Sequence, residues 1–579
     1  MDSIVTKLVQ LNDDWTETSI HRQVTDPNSK YYGGIMDLLS GIPKANHLGT
    51  PAVVAAWTAA LVNPDSRYFR DTELLRALSR AAVFMLNRQH ADGTISLGST
   101  NFNSPPDTAF VVGGVAQIYR LLQKQEWPEV MSSLASIKLF LERTIPALLS
   151  GGCHTPNHRW VMTAALAQLY EIFELPELIA RAEEWLAEGM DITEDGEWTE
   201  RSNGIYNVVS DISLFHTARV LNRPDLLEYV RRNLRMMVYL IHPNGEVVTE
   251  YSGRQDLGQV YDMSNYFLIY RLMAAHDRDP LFAAMSDYAA SLMTRYKEGV
   301  NNHPMTGILL FPSDLNGVDR GQLPVHYKKI FNAAHPIREH LNMAKAAGNL
   351  VQLEHSSLHT AFGASVIRIR ELDDSITMMA NAPAFFSLRH GKARLLGVKL
   401  ATAFSPGIVK FDELSVNTDV YTLSQTLEKG YYGPIPQSLL SDLPNRKQLS
   451  PWYLLPHQHR PVTHLQQQLL TVNITQGAAE WKLHVRSDER EDVMMQLTFI
   501  LGAEGSIQGN DIENSGKGRY VLKSGSFTYM TEESAIEISS GAYEHWLPDI
   551  RNDDHPAGCQ YVHVNVVTPM DRIFTIRLL

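Results

Sequence analysis

The chain reads as a multidomain α+β protein, an N-terminal (α/α)6-type helical toroid followed by a C-terminal antiparallel β-sandwich. Two observations predict this. Apolar residues recur at three- and four-residue intervals up to about residue 335, then at two-residue intervals in short β-branched runs from about residue 355. Polar, glycine-bearing loops also return about every 50 residues through the first half, the length of one helical hairpin with its connections.

In chain order, "TELLRALSRAAVFMLNRQH", "VMTAALAQLYEIF", "LPELIARAEEWLAEGM" and "YFLIYRLMAAH" carry the helical period. The loops are "SGIPKANHLGTP", "ADGTISLG", "SGGCHTPNH", "EDGEWTERS", "PNGEVVTEYS" and "KEGVNNHP". Six hairpins suit a ring of inner and outer helices, closed or incomplete. An open solenoid is the simpler alternative, but it does not explain polar residues gathered at one end of each hairpin. "HPIREHLNMAKAAGNLVQLEHSS" reads as a last helix and a linker, which puts the boundary near 345: a toroid over 1–345 and a sandwich over 346–579. "FGASVIRIREL", "SITMMANAPAFFSLR", "LLTVNITQG", "EWKLHVRS", "GRYVLKSGSFTYMT", "YVHVNVVTP" and "IFTIRLL" follow as strands separated by Gly, Asn, Asp and Ser.

Composition narrows the function classes. With 579 residues, 44% hydrophobic and 20% charged, the chain is an ordinary globular sequence with room for two cores. A net charge of −13 argues against a general nucleic-acid or acidic-membrane binder. An anionic substrate then needs a local basic pocket. The two cysteines, Cys153 and Cys559, give neither a metal spacing nor a disulfide framework. "MDSIVTKLVQLNDDW" has acidic residues where a signal peptide is basic, and no window is apolar enough to span a membrane, so a cytoplasmic protein is expected.

The chemistry gathers where loops meet inner helices, because helix N-termini carry unpaired N–H groups and partial positive charge that favour anions. In "HTPNHRWVM", Asn157, His158 and Arg159 stand at such a start. Asn donates without charge, His titrates near neutrality, and Arg grips a carboxylate with two donors, so the set suits an acidic sugar. Taken alone, the Asn-His pair reads more plainly as an N-cap with a half-buried histidine. In "EDGEWTERSNGIYNVVSD", Trp198 offers a face for a sugar ring, Glu200 and Arg201 offer polar contacts, and Tyr206 is a proton donor or acceptor or an interhelical packing residue. "EYSGRQDLGQVYDMSNYF" adds Glu250, Arg254, Gln255, Tyr261 and Tyr266; His47 and Asp107 are weaker candidates.

An Asn-His pair at a helix start, followed about one hairpin later by DG-x-x-x-E-x-S-x-x-x-Y, in a toroid joined to a sandwich, resembles the heparinase II/III and alginate-lyase group of polysaccharide lyases. The resemblance implies β-elimination on a uronic-acid glycan, with Asn157, His158 and Tyr206 lining the site and a sandwich histidine, His390 in "AFFSLRHGKARLLG", completing it. Asn157 with an Arg or His would neutralise the carboxylate. His158 or His390 would then take the proton and Tyr206 would protonate the leaving oxygen, or Tyr206 would do both. The expected substrate is an acidic oligosaccharide or polysaccharide, and no cofactor is implied. Many members hold a metal through H-x-H and an Asp in an early sandwich strand. Here the stretch is "RHGK", the nearest downstream acid is Asp412, and His457 and His459 in "LPHQHRP" lack a nameable third ligand.

Two other readings compete. A glycoside hydrolase of the toroid type would rest on paired acids drawn from Asp107, Asp195, Glu200 and Glu250. A glycan-binding protein would keep the ring without the chemistry.

Overall fold

The computed structural model describes residues 3–294, 299–311, 313–347, 359–440, 452–488, 490–550 and 558–579. The chain divides into two compact units, Met1–Gly363 and Ala364–Leu579. The helix at Ile337–Ala347, where patterning sets the last helix and the boundary of 345, belongs to the first unit, whose bound is Gly363.

In the first unit, helices Thr50–Val62, Pro105–Gln123, Pro156–Phe173, Tyr206–Leu221, Phe267–Asp277 and Pro304–Leu310 each pack on the next, and the last returns to the first. Around them stand Ser3–Ile20, Thr72–Arg88, Met131–Ser150, Pro176–Leu186, Leu227–Met237 and Pro280–Leu292. The ring therefore closes as six helical hairpins. Sequence sorts the two layers. Thr50–Val62 is buried on every side, with Ala, Val, Leu and Trp all round, whereas Leu227–Met237 buries one stripe and turns arginines outward. Proline in the first turn of four inner helices, at Pro51, Pro105, Pro156 and Pro304, fixes φ where no intrahelical N–H is needed. Each inner helix follows one of the six loops, directly at Thr50, Pro156 and Pro304, after a few more residues at Pro105 and Tyr206, and after a longer stretch with the short helix Met263–Tyr266 at Phe267, so the six N-termini share one rim.

The second unit is built from two sheets. One runs in the order Val366–Glu371, Asp374–Met379, Phe386–His390, Ala393–Thr402, Met494–Leu501, Gln560–Val567, Arg519–Leu522 and Ile512–Gly516. The other runs Ser506–Gly509, Ser526–Met530, Ala535–Ser539, Asp571–Leu578, Glu480–Ser487, Val462–Gln476, Val420–Tyr432 and Glu413–Asn417. Among these strands only Arg519–Leu522 pairs in parallel, with Gln560–Val567. Strand Glu480–Ser487 shows the period-two code: Trp481, Leu483 and Val485 face the core and Lys482, His484 and Arg486 face away. They meet Phe386, Leu497, Phe499 and Val562 of the other sheet in one continuous core.

Candidate active site at the rim of the helical ring

Helix Pro156–Phe173 begins at Thr155, whose side chain makes no capping hydrogen bond. The cap comes from the next loop. Glu200 accepts from the backbone N–H of Asn157 at 3.0 Å and from Asn157 Nδ2 at 2.6 Å, both through Oε2. Its other oxygen, Oε1, is paired with Arg254 of the following loop. A carboxylate at a helix start is favoured by the free N–H groups and the helix dipole. Asn157 is thereby held in one orientation, with its second Nδ2 hydrogen on a long 3.3 Å contact to Thr155 Oγ1 and its buried Oδ1 without a partner.

Arg254 carries the connection onward. Its guanidinium lies 4.6 Å from the ring centroid of Tyr206, the first residue of helix Tyr206–Leu221, and the neighbouring Gln255 Nε2 donates to the Tyr206 hydroxyl at 2.5 Å. That hydroxyl is thus an acceptor from Gln255, which leaves its own proton to give away. Burial, and then the nearby Asp256, Tyr261 and Asp107, push the phenol above its usual range, so Tyr206 is protonated at neutral pH.

His158 follows Asn157 and is 7% exposed, with a buried Nδ1 that has no hydrogen-bond partner. Its ring meets His154 edge-on at 4.9 Å and Phe110 at 6.1 Å. Burial first, then the like charges of His154, Arg254 and His47, bring its pKa down to about 3. His47, stacked on Phe110 at 4.6 Å, is brought down to about 4 by burial, which outweighs the pull of Asp107. The site therefore presents neutral imidazoles beside a protonated phenol.

The rim brings together Asn157, His158, Glu200, Tyr206, Arg254 and Tyr261 from three loops, along with His47 and Asp107 from two more. Tyr261 packs so closely over Gly204 that a Cβ there would stand 2.7 Å from its ring. Other expected contacts are corrected. Trp198 is 2% exposed and donates to Asp211 at 3.1 Å; no ring face is open for a sugar, because the side chain belongs to the core. Arg201 is 1% exposed, paired with Glu197 at 3.2 Å, donating to Ala361 O and stacked on Tyr251. Its role is to anchor the loop, with φ at +48° and its carbonyl accepting from Gly253 N–H, and so to aim the adjoining Glu200. Arg159 is bridged to Glu188 at 3.1 Å and Asp191 at 3.0 Å, so it faces a neighbouring cavity already neutralised. Tyr266 is buried and donates to Asn203 O.

The acids of the hydrolase reading are engaged as well. Asp107 accepts from Ser104 and Asn101, Glu250 is 2.8 Å from His242, and Asp195 accepts from Asn332 N–H. In the sandwich unit, His390 has Nδ1 2.6 Å from Asp374 and Nε2 3.2 Å from Leu579 O, and the aspartate raises its pKa. His457 contacts Trp452 O and accepts from Arg460, while His459 is exposed. Among the described residues, no three His, Cys, Asp or Glu side chains are grouped to hold a metal, and no helix is long and apolar enough to cross a membrane.

Sequence reasoning missed three members. His154 borders His158; His359 feels the charge of Arg254 and is lowered by burial; and Asp256 accepts from Ser202, Ser252 and Gly204 N–H, tying together the Tyr206 and Arg254 loops. Asp256 stands beside Gln255 in the sequence, but its acceptor role depends on groups 52 and 54 residues away.

The sequence matches no protein-family model and no curated protein sequence. The fold is shared with solved structures. Heparinase III is similar over 99% of this chain and 84% of its own, with a TM-score of 0.53 at 11% identity. Streptomyces coelicolor A3 chondroitin AC lyase, solved with chondroitin sulphate, is similar over 99% of this chain and 79% of its own, with a TM-score of 0.52 at 10% identity. At that identity the likeness extends to the toroid-plus-sandwich architecture.

Proposed function

We propose that this protein is a lyase that cleaves a uronic-acid-containing polysaccharide or oligosaccharide by β-elimination at the toroid rim. The observation that carries the reading is that a neutral His158, its buried Nδ1 without a hydrogen-bond partner, and a protonated Tyr206, its hydroxyl held by Gln255, both lie near Arg254. The shared architecture with a heparinase and a chondroitin lyase supports it.

The steps follow from the groups. The uronate carboxylate sits among six helix N-termini and takes the second Nδ2 hydrogen of Asn157 in place of the long contact to Thr155. Its negative charge beside His158 opposes the burial that lowers the pKa and lifts the imidazole toward the working range. His158 takes the proton alpha to the carboxylate. The electron pair forms a carbon–carbon double bond as the bond to the glycosidic oxygen breaks, and Tyr206 gives that oxygen its proton. Base and acid are thus separate residues, because the phenol is protonated before substrate arrives. His390 has no part in this scheme, since both its ring nitrogens are engaged by Asp374 and Leu579.

The test is ultraviolet absorbance of the conjugated unsaturated uronide across gellan, alginate, glycosaminoglycan and plant-type uronate oligomers. Wild type produces the absorbing product, and His158→Ala and Tyr206→Phe do so about 10²–10⁴-fold more slowly. A saturated product, or full turnover by Tyr206→Phe, would sink the proposal.

A further inference from the structure

Beside the rim, and unused by the proton transfers, lies a cavity of about 640 Å³ in the helical unit. That volume is typical of a small-molecule site. It starts one turn from the reaction centre: Thr155 and Pro156, which precede Asn157, form one edge, and His154, edge-on to His158, forms another. Its opposite wall comes from the outer helix Pro176–Leu186 and from helix Ile337–Ala347.

The character of the walls restricts what fits. Trp185, Ile337, Leu341 and Phe362 make them mainly apolar, and the indole N–H of Trp185 is buried without an acceptor. The cation on the wall, Arg159, is bridged by both Glu188 and Asp191, which face the same space. With Arg181, whose guanidinium lies over the Trp185 ring at 5.1 Å, and its partner Glu184, these charges sum to −1. A sulfate or a second carboxylate placed there meets more negative than positive charge from them, whereas the apolar face of a neutral pyranose can lie against the indole. His154, His340 and His359 complete the border.

We infer that this cavity is the subsite for the sugar residue next to the uronate, and that it selects a neutral residue with an apolar face, such as a 6-deoxyhexose or an N-acetylhexosamine, over a sulfated or second acidic one. The inference rests on the proposed lyase reading for the identity of the neighbouring uronate.

Binding is measured by calorimetry on the Tyr206→Phe protein, so that cleavage is slow against the titration. The ligands are tetrasaccharides of equal length: uronate alternating with a neutral 6-deoxyhexose or N-acetylhexosamine, the same chain sulfated on the neutral residue, and an all-uronate chain. The neutral-partner ligands are expected to bind about tenfold tighter, and Trp185→Ala to remove that margin. Ala344→Trp, which fills the cavity and keeps Trp185, does the same with an unchanged melting temperature. Equal or tighter binding of the sulfated or all-uronate chain overturns the assignment, as does an unaltered margin in both cavity variants. The wild-type absorbance assay is read separately. A neutral-residue preference without unsaturated product sinks the lyase reading and leaves the cavity assignment standing; equal elimination rates on all chains do the reverse.

Discussion

At the C-terminal end of the inner helices, Arg120 and Arg219 both reach Glu171, at 3.0 and 2.5 Å, and both stack over Phe311. At the N-terminal rim, His158 Nδ1 and Asn157 Oδ1 are buried with no partner, and Glu200 holds Asn157 and Arg254 in place. Both ends bury polar side chains in one ring. At one end the charges complement the negative helix termini and one another, which is a device for stability. At the other, unmet hydrogen-bonding capacity is retained where the helix termini attract an anion, an arrangement that a ligand completes.

The largest effects should come from breaking the rim. Tyr206→Phe and His158→Ala are expected to lower turnover by about 10²–10⁴-fold, the usual worth of a positioned acid or base, with the melting temperature of Tyr206→Phe little changed. Glu200→Gln tests the clamp. Loss of the charge frees Arg254 and loosens Asn157, so kcat should fall by about 100-fold with KM nearly constant, as steady-state kinetics will show. A larger effect on KM than on kcat would make Glu200 a substrate contact instead.

The opposite end sharpens the contrast. Glu171→Gln should cost about 1–3 kcal/mol in urea unfolding, because two part-buried arginines lose their shared acceptor, while kcat stays within error. A fall in kcat would show that the two ends are coupled.

The smallest effect is in the pH dependence of stability. His158 at the rim and His216 deeper in the ring are both held to about 3, chiefly by burial. An unfolded histidine titrates near 6.5, so below that pH the unfolded chain binds protons that the folded chain refuses. Stability should therefore fall as pH drops from about 6.5 to about 3, by up to about 1.4 kcal/mol per pH unit for each histidine. His216→Asn should flatten this slope with or without ligand. A bound uronate oligomer should flatten only the share of His158, as urea titrations between about pH 4 and 7 will report.

Much of this was legible in the sequence because it is periodic or local. The change from helical to alternating patterning gave the two architectures, and the recurrence of loops gave six hairpins. Asn157, His158 and Tyr206 stood out because each opens an inner helix. Trp198 and Arg201 misled because they sit in the same polar loop as Glu200, and residue type does not tell which side chains of a loop turn inward. At 2% and 1% exposure, packing decided that.

The sequence by itself determined which segments coil, which extend, and that polar side chains gather at helix starts, since hydrophobic period, prolines and glycines act over a few residues. Tertiary structure alone decided that the ring closes, that Glu200 caps a helix begun 44 residues earlier, and that Gln255 meets the hydroxyl of Tyr206. It alone also set the protonation of His158 and Tyr206. Those outcomes depend on burial and on charges brought from distant loops, and neither is written in the spacing of residues along the chain.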